Sequence, residues 1–292
     1  MIVRSTADGV EVSAPAKLNL YLEILGRRPD GYHDLESLMV TVDLYDSLTF
    51  AEDPTGAITL SCDDPTLPTG SENLVVKAAE TLRNATGCRR GARITLKKSI
   101  PAQAGLAGGS SDAAATLTAL DRLWNLQLPP GQLDALAGLI GSDVAFFRHG
   151  PSAVCRGRGE VVETFPLPGP LTFVLVCPPF GVGTADVYQR LVPPAAPRSI
   201  GPFLEAFASG NPRTIGSHLF NRLQPIAETL CPALIKVRDD LASVGSDLDG
   251  HLMSGSGSAF FGLASDPDAA QDAANRLETL GLGKIRVVTS RP

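Results

Sequence analysis

Pro101-Ala102-Gln103-Ala104-Gly105-Leu106-Ala107-Gly108-Gly109-Ser110-Ser111-Asp112-Ala113-Ala114-Ala115 begins as a loop and ends as a helix. Gly105, Gly108 and Gly109 permit positive φ and let a ligand approach the backbone amides, because no Cβ stands in the way. Ser110, Ser111 and Asp112 offer helix-capping chemistry, and Ala113, Leu117, Leu120 and Trp124 follow at helical spacing. A glycine turn feeding a helix N-terminus gathers unpaired N–H groups and the positive end of the helix dipole, and so suits an anion. The stretch lacks Gly-Lys-Ser/Thr and does not fit G-x-G-x-x-G, which excludes a Walker loop and a dinucleotide-binding turn. On spacing alone, a small-residue turn packing a helix onto a sheet remains an equal reading.

The chain around it is long enough, at 292 residues, for a large core and two domains. An apolar fraction of 43% describes an ordinary globular protein, and a net charge of −6 argues against a nucleic-acid or anionic-membrane surface as the main partner. Five cysteines (Cys62, Cys88, Cys155, Cys177 and Cys231) stand singly, which predicts reduced thiols, no disulfide and no structural zinc. No apolar run approaches the ~20 residues that span a bilayer, and the first nine residues are unlike a signal peptide. The expected location is therefore the cytoplasm.

Upstream of the loop, Val10 to Tyr21 reads as extended chain with Lys17, Asn19 and Tyr21 on one face. Lys17 there is either an exposed strand position or a phosphate contact. Gly26 to His33 is a turn whose Tyr32 and His33 suit a ligand or a solvated loop. Leu35 to Phe50 predicts two strands, Ala57 to Cys62 a third, Asn73 to Leu82 a helix and Arg93 to Leu96 a strand. A second helix ends at Gly141, and Asp143 follows it as a helix cap or as a semi-buried acid or base. Val154 to Thr164 predicts a hairpin turning near Arg158 and Gly159.

Farther on, Leu171 to Cys177 predicts a strand, and Thr184 opens a helix carrying Asp186 and Tyr188. Helices are expected around 201–209, 213–223 and 232–244. A strand at His251 to Met253 runs into a second glycine loop, Ser254 to Ser258, and then into another strand. A final helix spans 269–280 and a last strand 284–289. The mixture predicts an α+β protein in two layers.

Pro15-Ala16-Lys17-Leu18-Asn19-Leu20, the Gly105 to Ala114 loop, Ile140-Gly141-Ser142-Asp143-Val144 and Met253-Ser254-Gly255-Ser256-Gly257-Ser258 together resemble the motifs of the GHMP kinase superfamily, in order. Gly26-Arg27-Arg28-Pro29-Asp30-Gly31-Tyr32-His33 narrows the resemblance to members that phosphorylate the tertiary 2-hydroxyl of 4-diphosphocytidyl-2-C-methyl-D-erythritol, a cytidine diphosphate sugar-alcohol of the non-mevalonate isoprenoid route. The resemblance implies a two-domain GHMP kinase fold. An N-terminal ATP-binding, ribosomal-protein-like domain would occupy residues 1–165 and a C-terminal ferredoxin-like domain residues 166–292, with the active site in the cleft between them. It also implies that Asp143 is the catalytic base with Lys17 beside it, and that Pro101 through Ser111 hold ATP with Asn73 near the adenine. Asn19, Tyr32, His33, Thr184 and Tyr188 would bind the acceptor. The alternative reading of Tyr188 is an ordinary helix-core residue.

ATP and Mg²⁺ are the implied cofactors, with no dedicated protein metal cage, in a monomer or weak homodimer. Alternatives are a GHMP kinase for a small alcohol such as mevalonate or homoserine, a diphosphomevalonate decarboxylase, or a catalytically silent nucleotide-binding module. Two departures from the family pattern stand in the loop. Gln103 replaces a small residue, and Asp112, where relatives have Asn or Asp, would repel a triphosphate unless it is paired or coupled to Mg²⁺.

Overall fold

Two long strands organise the first half of the computed structural model, which describes residues 1–290. Strand β1 (Ile2–Thr6) folds back antiparallel on the start of β2 (Gly9–Arg27), pairing Ile2 with Ser13 and Thr6 with Gly9. Gly9 is obligatory at that corner: a Cβ there would lie 1.9 Å from the Phe50 carbonyl oxygen. Strand β3 (His33–Asp53) follows, then β4 (Ile58–Cys62), helix α1 (Leu74–Thr86) and β5 (Gly91–Lys97). The last turns of β3 pair antiparallel with β5, and β4 pairs parallel with β5. Parallel neighbours need a crossover; α1 supplies it, burying Val75, Val76, Ala78, Ala79 and Leu82. Helices α2 (Gly108–Leu123) and α3 (Pro130–Ile140) pack with α1, and the short α4 (Phe146–His149) ends this part.

The chain divides into two compact units, interleaved along the sequence. The first holds Met1–Ala16, Leu44–Ala102 and Ala107–Gly150, and the second holds Lys17–Asp43, Gln103–Leu106 and the chain from Pro151 onward. Strands β2 and β3 therefore each contribute to both.

In the second unit, β6 (Ser152–Gly157) pairs antiparallel with the start of β3 and with β7 (Val161–Thr164), the expected hairpin. After β8 (Thr172–Cys177) come α5 (Thr184–Arg190), α6 (Gly201–Ala208), α7 (Pro212–Gly216), the two-residue β9 (Phe220–Asn221), α8 (Gln224–Leu230) and α9 (Ala233–Ser243). Strands β10 (Leu248–Met253) and β11 (Phe260–Ala264), helix α10 (Pro267–Glu278) and β12 (Lys284–Thr289) complete it. The order β10-β11-β8-β12 is antiparallel throughout. Its core joins Val174, Val176 and Phe260 from the sheet to Val237 and Leu241 of α9 and Ala273 and Leu277 of α10. This mixed α+β architecture is the expected fold class.

Two expectations are corrected. Residues 35–50 lie in one strand, within which Asp43 accepts from the Thr289 amide at 2.7 Å and Asp46 pairs with Lys98, so both carboxylates are satisfied without a break. The helix expected over 213–223 is instead α7, a turn and β9. Gly216 packs so closely on the chain at Asp249 that a Cβ would lie 2.2 Å from its carbonyl oxygen, and Phe220–Asn221 leave the helix to pair with Tyr21–Leu22. Among the described residues no helix is long and apolar enough to cross a membrane.

Candidate active site

Lys17 is only 3% exposed, so its ammonium must be held by protein groups. Nζ donates to Asn19 Oδ1 and, at 2.7 Å, to the Gly105 carbonyl. Asn19 passes the order on: its Nδ2 donates to Ser37 Oγ at 2.8 Å, and Ser37 donates to the Tyr21 carbonyl at 2.6 Å. The shared face of β2 was legible from its period-2 pattern. Its burial was not, because Ala14 through Ile24 are covered on both sides.

The two glycine loops meet at this lysine. Gly105, at φ +74°, has no room for a side chain, since a Cβ would lie 2.0 Å from the Ser254 carbonyl oxygen. Ser254 Oγ donates to the Gly105 carbonyl at 3.0 Å, and the Ala259 amide donates to the Ala104 carbonyl at 3.1 Å. The second loop is held from behind by Asn221, whose Nδ2 donates to the Met253 and Gly255 carbonyls, each at 2.7 Å. Asn221 escaped the sequence reading because it fell inside the misassigned helix. Gln103 takes φ +54° and lies along the backbone of Gly181; the departure from a small residue is accommodated by that glycine.

In the first unit, α2 starts at Gly108 with Ala107 as N-cap at φ +54° and no side-chain capping bond. The capping expected from Ser110, Ser111 and Asp112 is thus corrected: all three lie within the helix, leaving its first amides free of side-chain caps. Gly109 is exposed and Ser110 half-buried, while Gly108 is buried so tightly that a Cβ would lie 2.9 Å from Ile100 Cγ2.

Asp112 is balanced by a residue the sequence reading missed. Lys98 Nζ donates to Asp112 Oδ2 at 2.8 Å and also to Asp46 Oδ2, while Asp46 Oδ1 accepts the Ser99 and Ile100 amides at 2.6 and 2.9 Å. Burial pushes the Asp112 carboxyl up to about 7, with Lys98 pulling it down and Asp46 pushing it up again. Ser111 Oγ and Asp112 Oδ1 are buried without a hydrogen-bond partner.

Asp143 is half-buried in the turn between α3 and α4, whose cap residues are Gly141 and Ala145. The capping alternative therefore falls away. Asn73 caps α1 by accepting the Val75 amide at 2.9 Å, and its Nδ2 donates to the Pro68 carbonyl at 2.8 Å, so both ends of its amide are engaged in shaping the loop before the helix.

The remaining candidates lie in the second unit. The His33 and Tyr188 rings are 5.5 Å apart, with Tyr188 packed partly against the core. Burial and the nearby Arg27 lower the His33 pKa, leaving a neutral imidazole at pH 7 that can both donate and accept. Tyr32 is 55% exposed, with the Arg158 guanidinium 5.0 Å from its ring centre. Thr184 opens α5 and shares a 2.8 Å hydrogen bond with Ser256 of the second glycine loop.

Family models described as "GHMP kinases N terminal domain" and "GHMP kinases C terminal" match residues 73–151 and 203–281. The 4-diphosphocytidyl-2-C-methyl-D-erythritol kinase of Pelotomaculum thermopropionicum is 45% identical over 266 residues, covering 90% of this chain and 92% of the relative. That of Exiguobacterium sibiricum is 40% identical, covering 91% and 93%. A crystal structure of 4-(cytidine 5'-diphospho)-2C-methyl-D-erythritol kinase superposes with a TM-score of 0.79 at 39% identity, covering 97% of this chain and all of that one. The chain is a GHMP kinase and belongs to the 4-diphosphocytidyl-2-C-methyl-D-erythritol kinase family.

Proposed function

We propose that the protein transfers the γ-phosphoryl group of ATP to the tertiary 2-hydroxyl of 4-diphosphocytidyl-2-C-methyl-D-erythritol, giving the 2-phosphate and ADP in the non-mevalonate route to isoprenoid precursors. The observation that carries the acceptor is the Tyr32-His33 turn with Tyr188 beside it, in a chain whose close relatives bear that substrate in their names. A base offers two faces to aromatic rings and an edge to a neutral histidine, whereas a small aliphatic alcohol gives these groups nothing to recognise.

The donor phosphates are assigned to the loop from Pro101 to Ser111 and to the uncapped first turn of α2. Helix dipole and amides there attract anions without requiring a basic protein. Asp143 is assigned as the base: its carboxylate takes the hydroxyl proton as the alkoxide oxygen bonds to the γ-phosphorus. The bond from that phosphorus to the β–γ bridging oxygen breaks, and ADP leaves with the electron pair. A positioned base contributes on the order of 10²- to 10⁴-fold. Lys17, fixed through Asn19 and Gly105, is assigned to offset charge on the transferring group, the principal demand of phosphoryl transfer. Thr184 is assigned to the acceptor side, and Asn73 shapes the loop toward the adenine rather than offering a free amide.

Mg²⁺ would be held chiefly by phosphate oxygens, and the orphaned Ser111 hydroxyl is a hard donor of the kind it takes alongside them. When bound, it would offset phosphate charge. The functional division into residues 1–165 and 166–292 is part of the same proposal. The function is tested by following ADP release with Mg²⁺ATP and, in parallel, the cytidyl acceptor, mevalonate and homoserine. Release with the cytidyl acceptor alone is expected; release only with a small alcohol would overturn the acceptor assignment.

A further inference from the structure

The tip of the β6–β7 hairpin, Gly157-Arg158-Gly159, is built more firmly than a solvated turn needs. Gly157 and Gly159 sit at φ +69° and +117°, conformations that favour glycine. The Arg158 amide donates to Glu160 Oε2 at 2.6 Å, and the Gly159 amide donates to the Arg156 carbonyl at 3.0 Å. One residue back, Arg156 is tied to Glu36 and Glu163 at 2.9 and 2.7 Å. The register pairs Leu35 with Gly157, so the residue after Gly157 falls beside the chain just before Leu35. Arg158 accordingly places its guanidinium over the Tyr32 ring, 5.0 Å from the centre.

The backbone of Tyr32 is fixed from the other side. Its amide donates to Asp30 Oδ1 at 3.1 Å, and its carbonyl accepts the Arg28 amide at 2.8 Å. The ring itself is more than half exposed and has no aromatic partner among the described residues. An exposed tyrosine with a free χ1 must lose that freedom when a base stacks on it, which weakens binding. A cation on one face removes part of the freedom beforehand and leaves the opposite face available.

We propose that Arg158 is a positioning residue for the cytidine end of the acceptor, backing Tyr32 so that its ring stands ready to receive the base. This rests on the cytosine assignment of Tyr32, and the experiment separates the two. Steady-state kinetics are compared for the wild type, Arg158→Ala, Arg158→Lys and Tyr32→Ala, with melting temperatures recorded for each. Arg158→Ala should raise the KM for the cytidyl acceptor about three- to tenfold, move kcat and the KM for ATP less than twofold, and leave the melting temperature nearly unchanged. Arg158→Lys should recover part of the loss, because an ammonium also binds a ring face. If Tyr32→Ala raises the acceptor KM while Arg158→Ala leaves it within twofold of wild type, the inference is wrong and the cytosine reading stands. An unchanged acceptor KM in Tyr32→Ala would overturn both.

Discussion

The glycine loop with α2 and the Tyr32 turn are built from opposite materials. The first uses backbone geometry and buried charge: Gly105 pressed on Ser254, Ala107 in a left-handed turn, and Lys98 between Asp46 and Asp112. The second uses exposed or half-exposed side chains, Tyr32, His33 and Tyr188, on a turn closed by local hydrogen bonds. Handling a triphosphate, common to all kinases of this fold, is thus assigned to groups that also hold the protein together. Recognising one particular acceptor is assigned to groups that can change at small cost to folding. Substitutions in the first region should therefore mix stability with donor affinity, whereas those in the second should alter acceptor KM alone.

The largest effect is expected where chemistry rather than binding is touched. Asp143→Asn should cut kcat on the order of 10²- to 10⁴-fold while nucleotide affinity, measured by calorimetry, stays near wild type. Near-normal turnover would remove Asp143 as the base. Next comes Lys98→Ala, which strands two buried carboxylates and should cost about 3 to 5 kcal/mol in urea denaturation. A loss under ~1 kcal/mol would show that the Asp46–Lys98–Asp112 cluster behaves like a surface pair, and the contrast between the regions would weaken.

Tyr32→Ala should raise the acceptor KM by about 5- to 100-fold, the value of one stacked base, with an unchanged melting temperature. A large drop in stability would place Tyr32 on the structural side of the comparison. A further effect concerns pH. The folded protein holds the Asp112 proton up to pH about 7, whereas an unfolded aspartate releases it near 4. Folding therefore takes up a proton between these values, and this group's contribution to stability falls as pH rises through that window. Thermal melts from pH 5 to 8 should show a decline that Asp112→Asn flattens; an equal slope in both proteins would assign the titration elsewhere.

How far each region could be read in advance follows from the same contrast. The glycine loop announced itself because only glycine takes the conformations it needs, and the motif order around it carried the family. The balance of Asp112 was hidden because Lys98 and Asp46 come from β5's end and mid-β3, and long-range pairing of charges leaves no local periodicity. Asn221 was hidden for a related reason: a two-residue strand is too short to show a pattern, and its partner, Tyr21–Leu22, is some two hundred residues away in the chain. The Tyr32 turn was legible as a ligand loop from its composition, but Arg158 was visible only once the β3–β6 register set it over the ring.

Transfer to a tertiary hydroxyl can be followed by proton-coupled phosphorus NMR of the products formed from Mg²⁺ATP and 4-diphosphocytidyl-2-C-methyl-D-erythritol. One new phosphomonoester signal is expected, growing in step with ADP and unsplit, because the carbon that bears the 2-hydroxyl carries no hydrogen. Inorganic phosphate in its place, or a phosphomonoester signal split by protons on the attached carbon, would contradict it.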